Sequence, residues 1–384
     1  MSEHKWQEIA SSIRDAVEGG RLRAGDRVPA ERDLADEWSV SRMTVHRALQ
    51  ELQRQGWVLR RRGVGTVVAG PEARMSRRIA MMYYSDASVL EAAYLQGVRS
   101  AMPEEMHLLI CVHRDDPKLE ARLIHRMSHE TDGIILLGTG ATENHAVIQR
   151  AADEGLAIVC IDRAAPELQV DSVVTDNYGV TLDALRHVIA HGHSRIAHFT
   201  ADLLYVSACR ERYEAYLQAC REAGVDDPSR LIRVYPVQDT ARRDLIARLV
   251  ADALAAMMAG AERPTAAFCL NEYLLAPLLE ACDEMRVSIP DDLEVVSFND
   301  SLNLMRRHER AVHRIVQRPA EAGRIAVELL LQRLEDRSRP RSAIRLPADF
   351  HPAALATPSR DAVAAGDPSP CPVHTMAQGL ASPH

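Results

Sequence analysis

P-A-E-R-D-L-A at 29–35, V-S-R-M-T-V-H-R-A-L at 40–49 and G-W-V-L-R-R-R-G-V-G-T-V-V at 56–68 are the stretch on which the reading of this chain turns. Pro29 opens a short helix whose Leu34, Ala35 and Trp38 share a face. Ser41 stands where an N-cap is needed for the next helix, with Val45, Ala48, Leu49 and Leu52 pointing inward. Gly56 stops that helix, and two β-type runs, 57–60 and 66–68, flank R-R-G-V-G at 61–65. Upstream, Trp6, Ile9, Ala10, Ile13 and Val17 recur at helical spacing, and Gly19-Gly20 ends their helix. Three helices and a hairpin inside 70 residues are the plan of a winged helix-turn-helix.

With the lead-in G-R-L-R-A-G-D-R-V-P at 20–29, this stretch resembles the DNA-binding domain of the GntR family, over nearly all of the first 70 residues. A recognition helix starting near Ser41 puts Ser41, Arg42, Thr44 and His46 at its exposed N-terminal end, the end that enters the major groove. Arg42 suits guanine O6/N7 or a phosphate. The Ser41 and Thr44 hydroxyls and the helix amides suit phosphate oxygens. Arg32 resembles the family arginine that reaches DNA. Gly63 and Gly65 let the wing approach the DNA backbone, where Arg61 and Arg62 add charge. His46 stands where many relatives carry Arg, which alters the expected base preference. Trp6, Trp38 and Trp57 are assigned to the small core.

Residues 70–77 (GPEARMSR) read as a polar linker between a head at 1–69 and a body at 78–356. In the body, strands are expected at 79–83, 108–112, 133–137, 157–161, 196–199, 232–234, 266–269 and 293–298. Helices alternate with them, for example at 90–101, 180–191 and 241–258. Such alternation means a mostly parallel sheet, too long for one compact unit, so two stacked α/β lobes are expected. The stretch 357–384, rich in Ala, Pro, Ser and Gly without periodicity, reads as a disordered tail.

The body is similar to the effector-binding domain of LacI-type repressors, a two-lobed α/β fold of the periplasmic-binding-protein type I. The segments that carry the resemblance are I-D-R (161–163), V-V-T-D-N-Y-G-V (173–180), H-V-I-A-H-G-H-S-R-I-A (187–197), A-C-R-E-A-G (219–224), R-P-T-A-A-F-C-L-N-E (263–272) and I-P-D-D-L-E-V-V-S-F-N-D (289–300). A GntR head on a LacI body is the architecture of arabinose-type repressors. The resemblance implies a small molecule in the cleft between lobes, at the carboxyl ends of the strands. Tyr84, Ser85, Asp162, Arg212, Asn271 and Asn299 are the expected effector contacts. Carboxylate, amides and an Arg fork match a hydroxyl-rich ligand. Asn299 replaces a family Asp, which weakens the match to an ordinary sugar. Asp176 and Asn177 are read as capping the next helix and tying the lobes.

The 384 residues carry a formal net charge of −8, which taken whole argues against a non-specific nucleic-acid binder. The sign depends on position: residues 1–78 sum to +4 and the remainder to −12. Lys5 and Lys118 are the only lysines beside 44 arginines, which disfavours a pyridoxal Schiff base or a P-loop. Seven scattered cysteines without C-x-x-C read as reduced core residues of a cytoplasmic protein. Of His187, His191, His193 and His198, the first two share a helix face, but no H-E-x-x-H accompanies them and His193 belongs to a turn leading into a strand, so neither a metal site nor a cofactor is expected. No nucleophile–base pair stands at recognisable spacing.

The expectation is a cytoplasmic transcriptional regulator, a repressor, with no membrane span. Its partners are double-stranded DNA bearing a palindromic operator, a sugar or sugar-derived effector, and a second copy in a homodimer. An α/β enzyme domain under a DNA-binding head is the competing class. A solute-binding transport component is a third, opposed by the head and the polar N-terminus.

Overall fold

The computed structural model describes residues 5–61, 63–70, 78–84, 89–236, 243–260, 263–299 and 311–354. The head holds α1 (Lys5–Glu18), α2 (Glu31–Glu37), α3 (Arg42–Arg54) and an antiparallel hairpin of β1 (Val58–Arg61) with β2 (Gly65–Val68). Ile9, Ile13, Leu34, Val45, Leu49, Leu52 and Val58 are buried together, with Trp6, Trp38 and Trp57 packed half-buried around them. Gly63 and Gly65 turn the wing at φ 79° and 103°, a region that penalises any side chain.

The first lobe is a six-stranded, wholly parallel sheet ordered β13-β7-β6-β5-β3-β4. Its strands are β3 (Arg78–Tyr83), β4 (His107–Val112), β5 (Gly133–Leu136), β6 (Ala157–Ile161), β7 (Asp171–Thr175) and β13 (Ala343–Leu346). Helices α4 (Val89–Ala101), α5 (Pro117–Glu130) and α6 (His145–Asp153) connect them, and α11 (Pro319–Glu335) returns to this lobe from far along the chain. The crossing of α4 with α11 is close enough that a Cβ on Gly97 would lie 1.9 Å from the Ala320 carbonyl oxygen, and one on Gly323 2.3 Å from that of Tyr94. Both positions therefore exclude a side chain.

The second lobe repeats the plan in the order β14-β12-β11-β10-β8-β9, parallel except for the edge strand β14. It comprises β8 (Ile196–Ala201), β9 (Ile232–Tyr235), β10 (Ala266–Cys269), β11 (Glu294–Phe298), β12 (Val312–Val316) and β14 (Asp349–His351). Its helices are α7 (Asn177–Ala190), α8 (Ser207–Glu222), α9 (Arg243–Ala259) and α10 (Glu272–Met285). Each sheet is covered on both faces, which is why most of these strands read as continuous apolar runs.

The chain passes between lobes three times: from β7 to α7, from β12 to α11, and from β13 to β14. Buried side chains tie the first two passages. Thr175 Oγ1 donates to Gln317 Oε1 at 2.8 Å, and Gln317 Nε2 donates to Asn299 Oδ1. The third is fastened by the Asp176 amide on the Leu346 carbonyl, at 2.8 Å.

Four strands were absent from the sequence expectation: β7, β12, β13 and β14. Their runs (DSVVT, VHRIV, AIRL, DFH) are short and interrupted by charged or polar residues, so apolar continuity fails as a signal. Helix α7 starts at Asn177 rather than 180, because the Asp176 carboxylate caps it, accepting from the Gly179 amide at 3.1 Å. Six cysteines are free thiols; the seventh, Cys371, the tail and linker residues 71–77 lie outside the described residues.

His198, fully buried on β8, stacks on Phe268 and donates from Nδ1 to the Phe268 carbonyl at 3.1 Å. Its Nε2 has no partner among the described residues. Burial lowers its pKa from 6.5 to about 4. The unfolded chain therefore takes up a proton that the folded state refuses. Stability should be complete above about pH 6.5 and fall as pH drops toward 4, by up to about 3 kcal/mol from this group. Urea denaturation across that range should show a shallower pH slope for His198→Phe than for the parent.

Candidate DNA interface and effector cleft

The head presents one face built by the start of α3 and the wing. Ser41 caps α3, its Oγ accepting from the Thr44 amide at 3.2 Å and lying 2.8 Å from Thr44 Oγ1. The cap leaves the other first-turn amides pointing outward, where the helix dipole favours an anion. Arg42 and Arg32 are exposed, and Arg42 borders the same groove as Arg27, Arg60, Arg61 and Gly65. Arg62 lies outside the described residues.

His46 departs from the expectation of a free side chain at the helix end. It is half-buried, and its Nδ1 sits 2.9 Å from Glu31 Oε1, which also accepts from Arg60 at 2.5 Å. The His46 hydrogen bond foremost, then the charges of His46 and Arg60, hold Glu31 below the usual carboxylate range. The cluster joins α2, α3 and the wing, so the position serves the head's geometry as well as its surface. No sequence window joins these three residues, which is why it was missed.

In the body, Asp162 and Asn299 follow the carboxyl ends of β6 and β11, one in each lobe. Both are left-handed, at φ 65° and 70°. Asp and Asn tolerate that region better than other side chains. Tyr94 donates to Asp162 Oδ1 at 3.4 Å, and Asn299 is held by Gln317. The Arg163 guanidinium lies 4.5 Å over the Tyr84 ring and donates to Asp115 Oδ1 and the carbonyls of Gly138 and Thr139. Burial raises the Tyr84 phenol well above its ordinary value, with Asp162 adding to the rise against Arg163. Ser85 lies outside the described residues.

Arg212 is 5% exposed on α8. Its Nε donates to Asn177 Oδ1 at 2.9 Å, its Nη1 to the Leu270 carbonyl at 3.0 Å, and its plane covers Phe298 at 3.4 Å. Burial lowers its pKa, opposed by Cys209 and by Asp162 of the other lobe. Asn177 thus positions the arginine rather than only starting a helix. Asn271 occupies the cap position of α10 but makes no capping bond, and its Oδ1 is buried without a partner among the described residues. The neighbouring Glu272 Oε2 is in the same condition. Two orphaned acceptors beside a guanidinium suit a ligand rich in O–H or N–H donors. Arg163, Tyr94, Asn177, Glu272 and Gln317 were not among the expected contacts. The αL turn at Asp162 and the buried pairing of α7 with α8 bring them in.

Residues 5–68 match the family model of the bacterial regulatory proteins of the gntR family, and residues 185–352 that of the periplasmic binding protein-like domain. The arabinose metabolism transcriptional repressor of Geobacillus stearothermophilus is 26% identical over 347 residues, 87% of this chain and 92% of the relative. The HTH-type transcriptional repressor CytR of Escherichia coli (strain K12) is 24% identical over 335 residues, 86% and 92% of the two chains. A structure of the transcriptional regulator CelR in complex with cellobiose superposes with a TM-score of 0.61 at 20% identity, covering 84% of this chain and 98% of that one.

An orphaned buried acceptor costs the ligand-free protein about 1–3 kcal/mol. Asn271→Ala should therefore leave ligand-free stability equal to or above the parent. Asn177→Ala, which strips the Arg212 Nε of its acceptor, should lower it by about 1–3 kcal/mol. Equilibrium denaturation of both variants tests the contrast.

Proposed function

We propose, for a chain that joins a GntR-type winged-helix head to a LacI-like periplasmic-binding-protein body, that the head represses transcription from a palindromic operator and that a polyhydroxylated effector in the cleft sets its affinity. The chain is a sequence-specific DNA-binding regulator with effector-modulated activity, and its relatives are transcriptional regulators rather than enzymes. The reading beyond that rests on one observation above all: beside Arg212, Asn271 Oδ1 and Glu272 Oε2 are buried without partners among the described residues. That CelR binds cellobiose supports a saccharide-like class.

On this reading the units are the head at 1–69, a linker at 70–77, a body at 78–356 and a tail at 357–384, working in the cytoplasm where the operator lies. Arg42 reads a base edge or clamps a phosphate, and Ser41, Thr44 and the α3 amides hold phosphate oxygens. His46 reaches DNA only through the edge of its ring away from Glu31. Arg32, Arg62 and the Gly63–Gly65 wing track the backbone. Two copies place their recognition helices about one turn of DNA apart. In the cleft, Asp162, Arg212, Asn271 and Asn299 hydrogen-bond hydroxyl groups, and Tyr84 and Ser85 line the first lobe's side. Closure of the lobes about the three passages shifts head spacing, with a coupling of about 1–3 kcal/mol, a 5–150-fold change in operator affinity.

Fluorescence anisotropy on operator DNA, with effectors drawn from a thermal-shift screen of sugars, sugar acids, polyols and nucleosides, tests this reading. Arg42→Ala should lose operator binding and keep the effector-induced thermal shift. Arg212→Ala should keep operator binding and lose the effector response. Sequence-specific binding by Arg42→Ala, or an unchanged effector response in Arg212→Ala, would sink the assignment.

A further inference from the structure

Four residues that the regulator reading leaves unused meet at the amino-terminal edge of the second lobe's sheet, away from the strand ends that form the cleft. His187 and His191 lie at the C-terminal end of α7, His313 is the second residue of β12, and Glu294 opens β11. One ring nitrogen from each of the three histidines lies within 4.8 Å of the others. Their ring centroids are 4.4, 5.3 and 6.2 Å apart. Three imidazoles around a single zinc ion, with Zn–N of about 2.0–2.1 Å, require centroids about 5 Å apart, inside that range.

Hydrogen bonds to one carboxylate fix which nitrogen of two of the rings is free to accept. Glu294 is 5% exposed, and its Oε1 lies 3.0 Å from His191 Nδ1 and 2.7 Å from His313 Nε2. An ionised carboxylate only accepts, so each ring donates, and the lone pair of each neutral ring falls on the nitrogen turned away from Glu294. His193 Nε2 lies 2.9 Å from the other carboxylate oxygen, and the ring is anchored through Nδ1, 3.0 Å from Thr265 Oγ1. A ligating histidine whose second N–H meets a carboxylate is the usual arrangement around a bound transition metal. The ring of His187 makes no hydrogen bond among the described residues; its neighbours are His191, His313 and Phe350.

We propose that His187, His191 and His313 bind one divalent transition-metal ion of the zinc class, with Glu294 as the carboxylate that orients two of the three rings. Imidazole is the ligand type that suits Zn, Cu, Fe and Ni, and three ligands leave a fourth position for water. The His313 Nδ1 now accepts the Ala353 amide at 3.0 Å, so the ion takes the place of that amide hydrogen. Loading therefore releases the backbone just past β14 while joining α7 to β12. The sequence expectation of no metal weighs His187 and His191 with His193 and His198, all within one stretch of chain. His313 and Glu294 come from elsewhere in the chain and complete the set.

The test uses the full chain stripped with a chelator, titrated with zinc against a chromophoric competitor and, separately, with cobalt(II). Zinc should saturate at one ion per chain. Cobalt(II) should give the visible bands of a tetrahedral nitrogen–oxygen site without a thiolate charge-transfer band. His187 and His191 are partly exposed, so His187→Ala and His191→Ala are expected to fold, checked by circular dichroism. Each should weaken zinc at least about 100-fold, and Glu294→Gln about 10–100-fold. Amide exchange at Ala353 should quicken on loading. No saturable uptake, parent affinity in either histidine variant, or a thiolate band would overturn the proposal.

Discussion

The body depends on the three passages between its lobes being held at one level. Thr175 and Gln317, both buried, and the half-buried Asn299 form a thread across two of them, and the Asp176 amide on Leu346 secures the third. Buried polar groups must be paired or they cost stability, so this thread permits few alternative registers of the lobes. It also sets where Asp162, Arg212, Asn271 and Asn299 stand.

Electrostatics divides the molecule as clearly as the fold does. The net charge of −8 hides a head and linker of +4 and a remainder of −12. An acidic remainder disfavours non-specific contact with a polyanion, whereas the basic head does not. Within the cleft, Arg212 is desolvated yet held by Asn177, the Leu270 carbonyl and the Phe298 ring. Its cost is thereby offset before any ligand arrives, whereas Asn271 and Glu272 keep acceptors in reserve. Among the described residues, the strand-end region is thus preorganised at Arg212 and unsatisfied at Asn271 and Glu272.

Much of this was legible in the residues. The head's helices, its Ser41 cap and its wing glycines follow from local rules, and the structure shifts their bounds by a residue or so. The strands that are apolar throughout, such as β6 and β10, were read to the residue. β7, β12, β13 and β14 were not, because they carry polar side chains at sheet edges, at lobe passages or in the histidine cluster. Among the cleft residues, those in strand-end motifs were visible. Tyr94, Asn177 and Gln317 were not, since their roles arise from what they touch.

By itself, then, the sequence determined the two-part architecture, the identity of the head and the repeated α/β plan of the body. Those properties are written in periods, caps and turns of a few residues, where each side chain answers to its neighbours along the chain. Only the tertiary structure decided that His46 is tied to Glu31, that Asn177 positions Arg212, and that His187 and His191 meet His313 and Glu294. The last meeting spans the chain from His187 to His313, joined through parallel strands whose order differs from their order in the chain. No local period encodes such a contact. It exists because the crossovers of a parallel sheet bring distant segments side by side, and the pairing of buried polar groups then selects the arrangement.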